Sequence, residues 1–249
     1  MNGASVNFFF VKPKTSNKMP IFPKSNIVYL HIPKTAGTSV EQALAEKEGL
    51  VKWPPGPKPH YAPTYWYGHW EAKGHSFQHA TWAEIQEVMG KSINDYTVFA
   101  TVRDPWARIV SEIKFQMTHF ALFPGMPSFK TMTRGPFEVY RKTFNRLVKT
   151  KLEALPSNPH LDDNHWLPQS AFLKTKAGEI DPSIRLIRFS SLSSGLAKLF
   201  GALSLPHTQQ SKAIHRSFYK EPKDLFDEEV QKMVQEMYRE DFELLSGIE

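Results

Sequence analysis

The segment that most constrains the fold of this chain lies in residues 26–50, where an apolar run leads through a short turn into a helical pattern. Residues 26–31 (NIVYLH) predict a strand, residues 32–39 (IPKTAGTS) a small-residue turn, and residues 40–50 a helix. This order directs several backbone N–H groups and the positive end of the helix dipole to one point. The sequence therefore predicts an anion site at the turn.

Side chains of the turn add hydrogen-bond donors to those of the backbone. Lys34 can place its ammonium group against a phosphate or sulfate oxygen, and the neighbouring hydroxyl groups can donate to further oxygens. In an ATP-binding loop the lysine follows the last glycine, whereas here Lys34 precedes Gly37. The predicted anion-binding residues are Lys34, Thr35, Ala36, Gly37, Thr38 and Ser39.

Two later segments repeat the change from strand to helix. Residues 96–102 (YTVFATV) predict a strand, after which Asp104 and Pro105 are typical of a helix start. Residues 184–189 (IRLIRF) predict a third strand before another helical stretch, and residues 227–245 carry an apolar face at helical spacing. Strands that alternate with helices indicate an α/β fold with a mainly parallel central sheet flanked by helices.

The predicted organisation is a single domain over residues 1–249. Proline and glycine interrupt regular patterns in two places, which we interpret as loops on the substrate side. The predicted subdivisions are an N-terminal extension at residues 1–25 and loops at residues 52–70 and 120–135.

Composition narrows the chemistry and the location. The chain has no cysteine, which excludes disulfides and thiol nucleophiles and is typical of a reducing compartment. No apolar run reaches the ~20 residues that span a bilayer, so we expect a soluble cytoplasmic protein, with a truncated lumenal domain of the Golgi as the alternative. The net charge of +6 favours an anionic ligand. Because basic residues are spread along the chain, nucleic acid is not expected as a partner.

Two motifs resemble those of one enzyme family. HIPKTAGTS at residues 31–39 is similar to the 5′-phosphosulfate loop of sulfotransferases, in the branch that includes carbohydrate sulfotransferases. VRDPWARIVSEIKF at residues 102–115 is similar to the family's 3′-phosphate motif, in which a serine follows the arginine by eight positions. Weaker similarity covers most of the remaining chain, and Ser190 stands where the family often has glutamate. The weaker matches are GH at 68–69, HWLPQSAFL at 165–173, IRLIRFSSL at 184–192 and YREDFELL at 238–245.

The resemblance implies a P-loop-like α/β sandwich that transfers a sulfuryl group from 3′-phosphoadenosine 5′-phosphosulfate (PAPS) and releases 3′-phosphoadenosine 5′-phosphate (PAP), with no metal required. Sulfuryl transfer depends on positioning and charge stabilisation, so Lys34 is expected at the bridging oxygen of the leaving group. Arg103 and Ser111 match the places that bind the 3′-phosphate. Lys212 and Arg216 form a predicted basic lid over the same end of the nucleotide.

The acceptor side is predicted from histidines and aromatic residues. His69 matches the position at which some family members place their catalytic base, and a histidine near neutral pKa suits that task. Glu71 and His75 are close enough in sequence to take its place. Trp66 belongs to an aromatic cluster that suits either stacking on a sugar or the apolar packing of a proline-rich loop, and His165 is a further predicted substrate contact. These residues fit an acceptor hydroxyl or amine on a carbohydrate or a small metabolite.

Two other functions stay open at this point. A magnesium-dependent P-loop kinase of small molecules needs a lysine and a hydroxyl residue after the glycine, and an acidic metal ligand after a strand. Asp104 follows a strand, but helix capping is the simpler interpretation. A non-catalytic module that binds anions or glycans is expected to bind without turnover.

Overall fold

The computed structural model describes residues 20–48, 69–70, 73, 75–119, 137–203 and 222–248. Its main sheet has four strands in the order β1, β2, β5, β6, and a separate two-stranded hairpin pairs β3 with β4. The strands are β1 (Ile21–Phe22), β2 (Ile27–Leu30), β3 (His69–Trp70), β4 (His75–Ser76), β5 (Thr97–Val102) and β6 (Arg185–Arg188). β1 is antiparallel to β2, whereas β2, β5 and β6 are parallel to one another.

Eight α-helices and several short 3₁₀ turns connect the strands within the described ranges. The helices are α1 (Gly37–Glu48), α2 (Trp82–Met89), α3 (Pro105–His119), α4 (Phe137–Ala154), α5 (Gln169–Leu173), α6 (Leu192–Ala202), α7 (Glu228–Met237) and α8 (Arg239–Ser246). A further helical turn at Leu161–Asn164 is left-handed, because Asp162, Asp163 and Asn164 all have positive φ.

Both faces of the main sheet are buried, which explains why β2 is an uninterrupted apolar run. Alternate side chains of a strand point to opposite faces. Ile27 and Tyr29 therefore pack with α1 and α6, while Val28 and Leu30 pack with α2 and α5. Full burial of each such apolar side chain contributes ~1.5–3 kcal/mol. The two helical layers fix the carboxyl ends of β2 and β5 side by side.

A third apolar cluster joins helices outside the sheet. It contains Trp106 and Ile113 of α3, Val148 of α4 and Val234 of α7. α3 is held through this cluster, so the polar side chains on its other faces have fixed positions near the end of β5. Trp166 is buried in the same cluster and ties the segment before α5 to it.

The mixed α/β fold with a mostly parallel central sheet and flanking helices confirms the expectation from the sequence. The three predicted strands lie at β2, β5 and β6. The amphipathic C-terminal segment forms two helices that meet at Tyr238, which has non-helical angles and donates its hydroxyl proton to the carbonyl oxygen of Trp166. Residues 1–19, 52–68 and 120–135 of the predicted extension and loops lie outside the described residues. None of the helices in the described ranges is long and apolar enough to cross a membrane.

Candidate active site

The turn between β2 and α1 contains two residues in the left-handed region of backbone conformation. Lys34 has φ of 67° and Ala36 has φ of 82°. Such angles are uncommon for residues with a side chain, and they turn successive N–H groups toward one side. α1 begins at Gly37, and the first N–H groups of a helix have no partner inside the helix. The backbone here has the geometry of an anion cradle.

The Thr35 hydroxyl points into the core. It donates to the carbonyl oxygen of Ile32 at 2.8 Å and lies 2.9 Å from the hydroxyl of Thr101, which in turn lies 2.7 Å from the phenol oxygen of Tyr29. Thr35 is fully buried, so its hydroxyl is not available to a phosphate. Only its backbone N–H stays as a predicted ligand contact, whereas Thr38 is exposed and Ser39 is half-buried.

Gly37 lies directly against the ring of His31. A Cβ atom at position 37 would be 1.9 Å from Nε2 of His31. The ring is buried, and its Nδ1 lies 2.7 Å from Oε1 of Glu41 and 2.9 Å from Nε2 of Gln78, which donates to the other oxygen of Glu41 at 2.6 Å. A side chain at position 37 therefore requires a fixed, buried ring to move.

Gly37→Ala is expected to lower the stability of the protein by ~1–3 kcal/mol, the usual range for overpacking. For a chain of this size, the melting temperature would fall by roughly 2–12 °C. Gly201→Ala is the matched control, because a Cβ atom there meets nothing within 4 Å. Thermal unfolding of both variants checks the prediction, and equal melting temperatures would show that the His31 ring moves aside freely.

Lys34 is the main positive charge of the turn. Its Nζ lies 3.9 Å from the centre of the Phe115 ring. Burial lowers the pKa of Lys34 to about 8, and attraction to Glu112 acts against that shift. Among the described residues, no carboxylate lies within ion-pair distance of Nζ. The site thus holds a desolvated ammonium group on an aromatic face, which an anionic ligand would stabilise.

Arg103 follows β5 and lies beside the same turn. Its Nη1 donates to the carbonyl oxygen of Lys34 at 3.1 Å, and its guanidinium carbon lies 4.3 Å from the centre of the Phe189 ring. Burial lowers the pKa of Arg103 to about 10, so the group is still charged at neutral pH. The carboxyl ends of β2 and β5 therefore present two cations next to each other.

Gln169 and Asp241 fix the backbone of Arg103. The side chain of Gln169 accepts from the N–H of Arg103 and donates to its carbonyl oxygen, both at 2.8 Å. Asp241 is fully buried in α8, and its two carboxylate oxygens accept the backbone N–H groups of Gln169 and Ser170 at 2.8 Å. Asp241 therefore caps the start of α5 from another helix and, through Gln169, positions Arg103.

Lys34 lies in the anion cradle after β2, and Arg103 follows the neighbouring parallel strand β5. Both residues belong to the motifs that resemble those of sulfotransferases. In a comparison with known protein families, the model of the sulfotransferase family matches residues 17–246. The chain belongs to the sulfotransferase family. No curated protein and no solved structure matches it.

Three histidines of this sulfotransferase lie in contact near the turn. The ring of His79 makes edge contacts with those of His31 and His165, with ring centres 4.9 Å apart in each pair. Each ring donates from Nδ1 to its own carboxylate: His79 to Asp163 at 2.8 Å, and His165 to Glu112 at 2.6 Å. A carboxylate on Nδ1 fixes the orientation and tautomer of an imidazole. Within the described part of the chain, the hydrogen bonds of His79 and His165 all use Nδ1, and Nε2 of each ring has no hydrogen-bond partner there.

The left-handed turn at Leu161–Asn164 carries these histidine contacts. Asp162, Asp163 and Asn164 have φ of 51°, 61° and 65°, a conformation that short polar side chains tolerate best. Each of them is held by side-chain hydrogen bonds to another part of the chain: Asp162 to Gln116, Asp163 to Ser76 and His79, and Asn164 to the carbonyl oxygen of His79. Strained backbone that is fixed in this way is common at functional sites.

The other predicted site residues of the sulfotransferase are placed as follows. His75 is buried and donates from both ring nitrogens, to the carbonyl oxygen of Ser76 at 2.8 Å and to Glu84 at 2.9 Å. Neither nitrogen is therefore available to take a proton from the acceptor substrate. Burial acts to lower the pKa of His75, but these hydrogen bonds raise it overall. Ser111 is half-buried on α3, next to Glu112. The side chain of His69 and residues Trp66, Glu71, Lys212 and Arg216 lie outside the described part of the chain.

Several buried polar residues of the site were not predicted from the sequence. Arg108, Glu112 and Gln116 follow one another at intervals of four on α3, and all three are buried. Polar residues at helical spacing beside an apolar face were the signal that could have identified Glu112. His79, Asp163 and His165 offer ligand atoms within 4.8 Å of one another, a spacing that suits a metal ion. The hydrogen bonds of His79 to Asp163 and of His165 to Glu112 account for this cluster without an ion.

Proposed function

We propose that this sulfotransferase moves a sulfuryl group from PAPS to a hydroxyl or amine of a carbohydrate or small metabolite and releases PAP. One observation supports the donor above all: the desolvated ammonium group of Lys34 lies at the anion cradle, and the neighbouring Arg103 is bonded to the same turn. A 5′-phosphosulfate carries negative charge on adjacent phosphate and sulfate groups, which suits two cations at neighbouring strand ends.

Lys34 stabilises the leaving group in this proposal. As the bond between sulfur and the bridging oxygen breaks, negative charge develops on the 5′-phosphate of PAP. An ammonium group already desolvated by burial needs little rearrangement to meet that charge, and such preorganised groups are worth ~10²–10³-fold in rate. The Phe115 ring, 3.9 Å from Nζ, holds the ammonium group in place before the donor binds.

Arg103 and Ser111 are proposed to bind the 3′-phosphate of the donor. The arginine has a planar fork of donors that suits a phosphate, and its backbone is fixed by Gln169. Ser111 lies on α3, the helix that starts two residues after Arg103. Lys212 and Arg216 stay predicted as a lid over this end, and Trp66, Glu71 and His69 stay predicted for the acceptor side.

Binding of PAP is expected to raise the melting temperature by roughly 5–10 °C at a hundredfold excess over its dissociation constant, which corresponds to ~2.7 kcal/mol. Protein should be heated with PAP, with ATP plus magnesium, and with PAP plus chelator. The shift should persist with chelator, because the proposed site uses Lys34 and Arg103 in place of a metal. It should shrink in Arg103→Ala and in Lys34→Ala, and persist in the exposed control Lys198→Ala.

The same experiment separates the alternatives. A shift only with ATP and magnesium would replace this proposal by a P-loop kinase. A shift with PAP but no transfer of labelled sulfate from PAPS to water, sugars or phenols would favour a non-catalytic anion-binding module. Label transfer by the wild-type chain that Lys34→Ala abolishes supports the sulfotransferase.

A further inference from the structure

We propose that His165, oriented by Glu112, is the group that takes the proton from the acceptor. This inference rests on the proposed sulfuryl transfer from PAPS and assigns a catalytic residue on the acceptor side of the same site. It differs from the expectation drawn from the sequence, in which His69 is the base and His165 only contacts the substrate.

The ring of Phe115 connects His165 to Lys34. The Phe115 ring stacks on His165, with ring centres 5.6 Å apart, and Nζ of Lys34 lies 3.9 Å from the centre of the same Phe115 ring. Phe115 and Glu112 project from adjacent turns of α3, so a single helix presents the partners of both His165 and Lys34. His165 exposes 12% of its side chain, so the ring is mostly buried but not fully enclosed.

The hydrogen bonds of His165 leave Nε2 as the proton acceptor. Nδ1 donates to Oε2 of Glu112 at 2.6 Å, and Gln116 donates to the other oxygen of that carboxylate at 2.8 Å. A neutral imidazole that donates from Nδ1 carries its lone pair on Nε2. Glu112 is 3% exposed, so its charge acts on the imidazole through little water. This arrangement is that of a general base with an orienting carboxylate.

The charges around His165 come from four elements. Glu112 lies on α3, Lys34 on the turn before α1, His79 on the segment before α2, and Asp163 on the left-handed turn. Burial lowers the pKa of His165 most, Glu112 acts against it, and the positive charge of Lys34 adds to the lowering. Burial acts to raise the pKa of Glu112, but His165, Lys34 and Gln116 together lower it. His165 is therefore neutral and Glu112 ionised at neutral pH, as a base and its partner must be.

The backbone on either side holds the ring of His165 in place. The carbonyl oxygen of His165 accepts from the buried guanidinium group of Arg108 at 3.2 Å, and the residue follows the left-handed turn directly. The backbone, the Nδ1 hydrogen bond and the stacked Phe115 ring fix this base, so it is already oriented for the reaction.

The proposed step conserves atoms and charge. The acceptor oxygen or nitrogen forms a bond to sulfur while its proton moves to Nε2 of His165. The bond between sulfur and the bridging oxygen of PAPS breaks, and its electron pair stays on the 5′-phosphate of PAP beside Lys34. The products are the sulfated acceptor, PAP and a His165 imidazolium stabilised by Glu112, which afterwards loses its proton to solvent.

His165→Asn tests the proposal, because the amide of asparagine can still donate to Glu112 but cannot accept a proton as a base. We expect transfer of labelled sulfate from PAPS, measured with water and with a panel of monosaccharides and phenols, to fall by ~10²-fold or more. The affinity for PAP should stay unchanged. The decline of kcat/KM for PAPS toward low pH, which reports protonation of the free enzyme's base, should disappear in this variant.

Glu112→Gln gives a second readout that a purely structural role would not produce. Loss of the carboxylate charge removes an electrostatic attraction that raises the pKa of both His165 and Lys34. The acidic limb of the pH profile, where His165 becomes protonated, should therefore move to lower pH. The alkaline limb, where Lys34 loses its proton, should also move to lower pH. Glu153→Gln is the matched control, because Glu153 is exposed on α4.

Two controls separate the failure of this inference from the failure of the proposed function. His160 lies just before the same left-handed turn, and the variant His160→Asn should keep the activity and the pH profile of the wild type. If His165→Asn keeps full transfer, or if His79→Asn and not His165→Asn removes the acidic limb, the assignment of His165 is wrong while sulfuryl transfer stands. If the wild-type chain neither binds PAP nor transfers label to any acceptor, the proposed function fails, and this inference fails with it.

Discussion

Replacement of Lys34 by methionine is expected to lower kcat/KM for sulfuryl transfer by a factor of about 10²–10³. Methionine keeps an unbranched side chain of similar length and can still lie against the Phe115 ring, so the change removes the charge and little else. Because the lost interaction belongs mainly to the developing charge on the leaving phosphate, the loss should fall on kcat more than on the affinity for PAP. Initial rates with labelled PAPS at several donor concentrations measure both.

The same variant is expected to be more stable than the wild-type chain at pH 7. Burial lowers the pKa of Lys34 to about 8, so the folded state holds the proton less readily than the unfolded state. This penalty is fully present below about pH 8 and disappears as the pH rises toward ~10.4, the ordinary value for lysine. Lys34→Met should therefore melt at a higher temperature than the wild type at pH 7, and the difference should vanish near pH 10.5.

Lys198→Met is the control for Lys34→Met, since Lys198 is exposed on α6 and should change neither rate nor melting temperature. A Lys34→Met variant that keeps its rate within a few-fold would remove Lys34 from the chemistry. A variant that loses rate and also melts at a lower temperature at pH 7 would mean that the ammonium group stabilises the fold in the absence of donor. Either result contradicts a desolvated lysine kept for catalysis.

Asp241→Ala is expected to cost about 2–5 kcal/mol of stability, because the backbone N–H groups of Gln169 and Ser170 lose a buried carboxylate partner. The melting temperature should fall by roughly 4–20 °C. The affinity for PAP should fall as well, since Gln169 holds the backbone of Arg103 on both sides. Thermal unfolding and PAP titration of the purified variant measure the two effects.

Asp224→Ala is the matched control, because Asp224 is exposed near the same C-terminal helices. Its stability and its PAP affinity should match those of the wild type. If Asp241→Ala loses stability but binds PAP normally at a temperature well below its melting point, then Gln169 fixes Arg103 without help from α8. An unchanged melting temperature would mean that water replaces the carboxylate at the start of α5.

The features of this fold that could be predicted are those set by residues close together in the sequence. The runs at residues 26–31, 96–102 and 184–189 are short and apolar, and each lies where the sheet has a strand. Thr81 and Glu84 stand three residues apart, and the Glu84 carboxylate accepts the N–H of Thr81 as a capping pair does. The turn with Lys34 and Gly37 could also be predicted, because its glycine, lysine and hydroxyl residues are close together in the sequence.

The contacts that complete the candidate site join distant parts of the chain and leave no local pattern. Glu112 and His165 are 53 residues apart, and Gln169 and Asp241 are 72 residues apart. Sequence spacing reports which face of a helix is apolar, but it does not report which buried carboxylate meets which histidine. The Thr35 hydroxyl was predicted to bind the ligand, but it donates to the carbonyl oxygen of Ile32 and lies 2.9 Å from the hydroxyl of Thr101 on β5.

The parallel pairing of β2, β5 and β6 determines when the candidate site can form during synthesis. Ile27 pairs with Thr97, and Phe99 pairs with Arg185, so the ribosome must release most of the chain before the sheet can close. Such long-range pairings are slow to form, and β1 is the only strand of the described sheet that can pair with β2 before β5 has been made. Arg103 receives its last support only after Asp241 has been made. A nascent chain therefore carries the Lys34 turn early but completes the proposed nucleotide site late, so PAP is expected not to assist the first steps of folding.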